Sequence, residues 1–322
     1  MSSKPFTLYW SHLEKYEACP QQFLWSRGWG TIDLGGGPGR RKPLVEQKSR
    51  HHAVMGIVIQ AVVERFYNDE LWRQPAGLLG RLEDLTRSTF EHEIARNYID
   101  YRAAPAQVEM LNVCLDGVRG FMQTLKHQRL LGPYAKSEVD LLAYVDKYTP
   151  IGGKADLIIR REDTGLSILD GKNSQSKGKY TNPDQLRWYG LVWYLAYRQL
   201  PDRLGFLYWR YPAGFLAEGS HVPEEGVDWV PFTKDDMKGL AARAVEARKG
   251  MEKERFDPCP VPSHCKFCDY EDVCAPRQTQ KEGNRRVKKN SEPIFAEAQG
   301  FVQFGFGPAT PAEKGKEPGG GT

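Results

Sequence analysis

Apolar residues recur at helical spacing across residues 53–72, 78–101 and 106–130, and Pro105 separates the last two segments. Met110, Cys114, Val118, Phe121 and Leu125 keep that spacing along one face of the third helix, so Cys114 reads as a buried hydrophobe. The period then shortens. Residues 136–172 carry the alternating pattern of strands, and the turn residues Glu162-Asp163-Thr164-Gly165 let 154–160 and 166–172 pair as a hairpin. Residues 136–145 fold back onto that hairpin about Lys147, giving a three-stranded meander. Asn182 is an N-cap, Pro183 suits the first helical position and Gln185 the third, so a helix is predicted over 182–200, ended by Pro201. Strands at 204–211 and 228–232 and a helix at 234–254 complete an α/β order.

The meander brings charges together. Reflection about Asp163 sets Asp156 opposite Asp170, and reflection about Lys147 sets Glu138 opposite Asp156. Asp170 and Lys172 are two apart and point the same way on a strand. Under strict alternation Glu138, Asp156, Asp170 and Lys172 share one face. Three carboxylates so placed repel one another unless a cation neutralises them, and hard oxygen donors select Mg²⁺ or Mn²⁺. With a lysine beside them, they are the equipment for hydrolysing a phosphodiester. A lone D-x-K triplet is more often a solvated strand face, but the aligned acids and the next helix count against that reading. On that helix Gln185 and Tyr189 lie one turn apart and share a face.

Six cysteines are present, and Cys265, Cys268 and Cys274 cluster with Cys259 just before them, while Cys19 stands alone near the start. One N-terminal and three C-terminal thiols can clamp a metal centre that joins the chain ends, and their spacing serves structural zinc and an iron–sulfur cluster equally. No secretory signal precedes the first motif, so a reducing cytoplasm is expected and disulfides are not. No apolar run approaches membrane-span length. The 322 residues carry a net charge of +4, too mild to name a partner, although Arg277–Lys289 is a basic run that could meet phosphates. Trp188, Trp193 and Trp209 could stack on bases, but core packing is the better expectation for each.

Taken together, these segments resemble the PD-(D/E)XK nucleases, and within them the RecB-like branch. The motifs are an acidic residue at Glu138, G-x-x-D at Gly153 and Asp156, D-x-K at Asp170 and Lys172, and Q-x-x-x-Y at Gln185 and Tyr189. The resemblance implies a restriction-endonuclease-like core, a mixed central sheet flanked by helices, with a helical insertion. It implies a metal-dependent DNA exonuclease acting on single strands or DNA ends, in recombination, repair, phage replication or CRISPR adaptation. Asp156 and Asp170 would then hold the metal, Lys172 would act in catalysis, and Gln185 and Tyr189 would position the strand or the metal-bound water. The branch carries a histidine ligand on an early helix, four residues after a glycine; here Gly56 is present and Gln60 takes the histidine's place. That departure leaves a non-catalytic or weakly catalytic DNA-binding relative, acting through a recombination or CRISPR-adaptation partner, as the alternative.

The cysteines extend the resemblance to the iron–sulfur exonucleases of the AddB type and of CRISPR adaptation, whose Y-x-x-C-P-x-x-F context matches Tyr16–Phe23. It implies a [4Fe–4S] cluster on Cys19, Cys265, Cys268 and Cys274, with Cys259 in reserve, His264 behind it, and zinc as the other metal. The expected organisation is an N-terminal segment over 1–30, a flexible loop over 31–50, and a nuclease core over 51–257 with its helical insertion at 78–130. A cysteine segment over 258–275 and a basic, then Gly/Pro-rich, disordered tail over 276–322 follow.

Overall fold

A computed structural model of the chain describes residues 6–27, 50–102, 104–174, 177–178, 181–210, 226–265, 268–271 and 273–276. Residues 31–49 of the expected loop and the tail beyond 276 fall outside them. The N-terminal part holds β1 (Leu8–Tyr9), α1 (Trp10–Ala18) and α2 (Pro20–Arg27), then α3 (His51–Asn68), α4 (Leu78–Arg96) and α5 (Gln107–His127). The meander is β2 (Tyr134–Tyr144), β3 (Pro150–Arg161) and β4 (Gly165–Lys172). After it come α6 (Pro183–Tyr197), β5 (Arg203–Tyr208), β6 (Val227–Trp229), α7 (Lys234–Glu252) and the short α8 (Pro262–Cys265).

The sheet runs β1-β3-β4-β5-β6, with β2 on the other edge of β3. β2, β3 and β4 are antiparallel in sequence, whereas β4 and β5 are parallel, joined by α6 as a crossover. β6 closes antiparallel on β5, and β1 lies parallel to β3. One sheet face packs on α1, α6 and α7 through Leu13, Trp188, Val192, Leu240 and their neighbours. The other packs on α3, α4 and α5 through Val58, Val62, Leu82 and Phe121. The result is a mixed sheet between two helical layers.

Local chemistry explains the start of the two helices that close the first layer. The Asn182 side chain accepts from the Asp184 N–H at 3.1 Å, and Pro183 costs α6 no bond in its first turn. Thr233 and Asp236 cap α7 reciprocally. Gly165 turns β3 into β4 at φ +69, and a Cβ there would strike the Asp202 carboxyl, so both backbone and space require glycine. Trp188, Trp193 and Trp209 are buried, as is Cys114, whose thiol is pushed up to about 12 by burial.

β1, α1 and α2 were not predicted; that segment was expected only to bring the first cysteine. Two-residue β1 is too short to carry a period, and α1 earns its place by contacts distant in sequence. Tyr16 Oη donates to Arg255 O at 3.0 Å, Arg248 donates to Phe6 O at 3.2 Å, and Arg243 pairs with Glu17 at 2.7 Å and Asp184 at 2.6 Å. Residues 6–17 are thereby tied to residues 243–255.

His12 sits in that seam, buried, stacked on Phe6 at 5.1 Å and accepting the Tyr9 N–H at Nδ1. Burial, then the Arg27 charge, lower its pKa from 6.5 to about 4. A base depressed by folding contributes full stability above about 6.5 and loses it as the pH falls towards 4. His12→Gln keeps an acceptor and removes the titration. The loss of unfolding free energy between pH 7 and pH 5 is therefore expected to be smaller in the variant by about 2 kcal/mol, measured by denaturant melts.

Candidate active site

The β3–β4 ladder follows the expected register, Leu157 against Leu169 and Ile158 against Ile168, and the same register carried one step further would set Asp156 against Asp170. It stops one step short. There Asp156 Oδ2 accepts the Gly171 N–H at 2.7 Å, so a side chain takes the place of a backbone acceptor and the strands part. The β2–β3 ladder also keeps its register, Ser137 against Leu157 and Val139 against Ala155, but skips the Glu138–Asp156 step. Glu138 adopts a left-handed φ of 55, uncommon for a non-glycine residue within a strand.

This double interruption corrects the expectation that all four groups share one face. Ile151 and Ala155 pack in the α6-side core, whereas Leu157 and Ile159, of the same parity, pack on the α3 side. Strand phase therefore reverses across Glu138 and Asp156. Those two carboxylates line a cleft of about 470 Å³ against α3, with Gly56, Gln60, Glu64 and Asn173. Asp170 and Lys172 instead contact α6. The four groups meet where the ladder splits, reached from two sides.

On the α6 side the contacts form a closed chain. Lys172 Nζ lies 2.6 Å from Asp170 Oδ2 and donates to Gln185 Oε1 at 3.1 Å. Gln185 Nε2 donates to Asp170 Oδ1 at 2.8 Å and reaches Tyr189 Oη at 3.3 Å. Lys172 is thus the charged partner of the buried Asp170 Oδ2. Lys172 Nζ also sits over the Phe206 ring at 5.3 Å. Two glycines are fixed by neighbours: a Cβ on Gly153 would lie 2.8 Å from the Tyr189 ring, and one on Gly171 would collide with Trp209. The motif glycine before Asp156 thus exists because Tyr189 needs its space.

On the α3 side Gln60 Nε2 donates to Glu138 Oε1 at 2.7 Å, and Lys154 Nζ pairs with Glu138 Oε2 at 2.5 Å. Gln60 thus reaches the cleft, with its amide nitrogen engaged by Glu138. Lys154 and Asn173 were not singled out in the sequence. Asn173 Oδ1 is buried without a partner among the described residues. Its only sequence signal is its place directly after Lys172.

Electrostatics follows from burial. Asp156 is pushed well above the ordinary carboxylate range, first by burial and then by Asp170, against the opposing hydrogen bond from Gly171. Burial also raises Asp170, with Lys172 pulling the other way. Tyr189 is raised by burial first and by Asp170 next, so its phenol stays protonated. A divalent cation would offset the repulsion between these acids, and Mg²⁺ is commonly held through one or two carboxylates with water completing its shell. Asp156 and Asp170 fit that demand, although among the described residues no three His, Cys, Asp or Glu side chains gather around one point.

The cysteines occupy a separate pocket between α2 and the C-terminal segment, lined by Cys19, Cys259, Cys265, Cys268 and Cys274 with His264. Cys19 Sγ accepts from the Cys259 N–H at 3.4 Å, and Cys268 Sγ from the Tyr270 N–H at 3.4 Å. Burial raises the Cys268 thiol, and Cys19 and Cys265 add to the shift. Here too no three side chains converge on a single point among the described residues. The donor chemistry suits a thiophilic centre; a one-ion geometry is not formed.

No curated protein matches the chain. Chains of solved structures do, among them the crystal structure of SSO0001, at 17% identity over 70% of this chain and 97% of that one. Its TM-score of 0.32 is too low to carry an argument. Among the described residues no helix is long and apolar enough to cross a membrane. Residues 9–275 match the family model of the PD-(D/E)XK nuclease superfamily, a span that contains the split ladder, the D-x-K strand and the Q-x-x-x-Y helix. With most of its length so matched, the chain belongs to the PD-(D/E)XK nuclease superfamily, whose members are generally nucleases.

Proposed function

We propose that this protein is a metal-dependent DNA exonuclease of the RecB-like branch, acting on single strands or DNA ends. The observation that carries this reading is the buried Asp170–Lys172–Gln185 chain beside the Asp156 and Glu138 carboxylates. Asp156 and Asp170 would hold Mg²⁺ or Mn²⁺, with the Gln60 carbonyl as a weaker third donor. When bound, such an ion supplies an activated water and positive charge at the phosphate. Lys172 presents its ammonium towards the scissile phosphate and offsets developing charge. Gln185 accepts from Lys172 and donates to Asp170, holding both side chains in register. Tyr189 fixes Gln185 in turn. Recombination or CRISPR adaptation, with a protein partner, is the setting the resemblance suggests.

Cys19, Cys265, Cys268 and Cys274 are proposed as ligands of a [4Fe–4S] cluster. The support for a cluster is the Tyr16–Phe23 sequence context shared with iron–sulfur exonucleases, together with the pocket that Cys19, Cys265, Cys268 and Cys274 line; the thiol chemistry itself serves zinc equally. The engagement of Gln60 by Glu138 favours the second reading, a weakly catalytic DNA-binding relative, because it draws on the residue that stands in for a metal ligand.

On end-labelled DNA with Mg²⁺ or Mn²⁺, the parent is expected to cleave, and Lys172→Ala and Asp170→Ala each to lose about 100-fold or more in rate while remaining folded. Full activity in either variant, or a silent parent loaded with metal, sinks the nuclease assignment. Cys268→Ala should lose iron and the visible absorption of an anaerobically purified protein and melt earlier; an unchanged spectrum removes Cys268 from the ligand set. Asp156 supplies a third expectation. A carboxyl raised by folding lowers the stability of the metal-free protein as pH climbs above the ordinary 3.8. Asp156→Asn in EDTA is therefore expected to raise the melting temperature at pH 7, by about 2–4 °C for each kcal/mol of relieved repulsion, and to abolish the stabilisation by added Mg²⁺.

A further inference from the structure

Beyond the phase reversal at Glu138 and Asp156, the sheet changes character. Leu8, Leu141, Ala143 and Ile151 point into the α6-side core. Their neighbours must point the other way. The register lays Tyr9 beside Gly152 and Gly152 beside Leu142, with Tyr144 beside Pro150 at the end of the hairpin. These residues sit side by side on the face opposite α6, and the exposures show that α3 does not cover it. Tyr9 is 41% exposed, Leu142 57%, Tyr144 53% and, in the turn, Tyr148 66%. Gly152 lets the Tyr9 ring lie across β3: a Cβ there would come within 3.1 Å of it.

This face is continuous with the cleft. Lys154 stands between them, opposite Asp140 in register and paired with Glu138 at the cleft wall. Tyr144 lies six residue steps along β2 from Glu138, about 20 Å at strand rise. Lys147 Nζ sits over the Tyr148 ring at 5.3 Å, keeping positive charge beside it. Asp140 and Asp146 are on the same hairpin, so charge alone does not make the face attractive to a polyanion; the rings must.

We infer that the open β1–β3–β2 face, through Tyr9, Leu142 and Tyr144 and extended by Tyr148 in the adjoining turn, is a stacking platform for the unpaired bases of a nucleic acid strand that enters or leaves the cleft. Flat rings on a sheet surface accept any base, so the platform would bind without regard to sequence. A duplex keeps its bases stacked on one another and cannot use it. The inference rests on the nuclease reading for the direction of the strand, and it assigns that reading a single-stranded substrate segment.

The test is equilibrium binding of the full-length protein, in EDTA, to a labelled oligonucleotide of mixed sequence and to its blunt duplex. Tyr144→Ala and Tyr148→Ala are each expected to weaken binding of the unpaired strand about tenfold, with the duplex unaffected. Tyr144→Phe and Tyr148→Phe keep the ring and should bind like the parent, which separates stacking from folding. Unchanged affinity in both alanine variants, or equal losses on strand and duplex, overturns the inference and leaves the face to a protein partner. A parent that binds the strand through these tyrosines yet never cleaves it would sink the nuclease reading while this one stands.

Discussion

The β2–β3–β4 meander cannot be a regular sheet along its whole length, because two carboxylates and a lysine have to meet in its interior. A buried carboxylate costs several kcal/mol unless paired and hydrogen-bonded. Asp170 answers that cost with Lys172 and Gln185, and Asp156 answers it by taking the Gly171 N–H from the ladder. The second answer breaks the sheet. Once Asp156 replaces a backbone acceptor, β3 and β4 separate and the cleft opens at the break. Glu138, in a left-handed conformation on the neighbouring strand, breaks step with it.

Much of the rest serves that break. The α6 cap and its Pro183 start the helix so that Gln185 and Tyr189 face the split one turn apart. Gly153 yields room for the Tyr189 ring and Gly171 for Trp209, so both glycines act by close packing rather than by backbone freedom. Arg243 joins α7 to Glu17 on α1 and to Asp184 on α6, tying the chain's beginning to the helix behind the lysine. The pocket lined by cysteines lies farther along the same seam, where α2 meets the C-terminal segment. Burial raises both Asp156 and Asp170, and repulsion adds to it at Asp156, a cost that a divalent cation would offset.

The same break decides what the surface offers. Reversing strand phase turns Leu142 and Tyr144 outward, where unbroken alternation from Ala135 would have turned them under α6. An open aromatic face and a polar cleft thus arise from one local event and lie next to each other. An uninterrupted sheet would have had neither.

The order of elements from α3 onward, the hairpin axes at Lys147 and Asp163 and the shared face of Gln185 and Tyr189 were legible in the sequence, because each depends on spacing and turn chemistry within a few dozen residues. The burial of three tryptophans and Cys114 was equally local, following from apolar period alone. What alternation could not give was the reversal at Glu138 and Asp156, since a residue in an unusual conformation leaves no mark on a hydrophobic pattern. Nor could it give the N-terminal elements, where Phe6 and, on α1, Tyr16 and Glu17 are held by Arg248, Arg255 and Arg243 more than 200 residues away. Asn173, Lys154 and the reach of Gln60 to Glu138 also left no mark in the pattern, because the split of the ladder is what brings them to the cleft. Sequence determines what lies within reach of a turn; only the packed sheet decides which charges are buried and must answer one another, because that burial comes from the helices laid on its two faces.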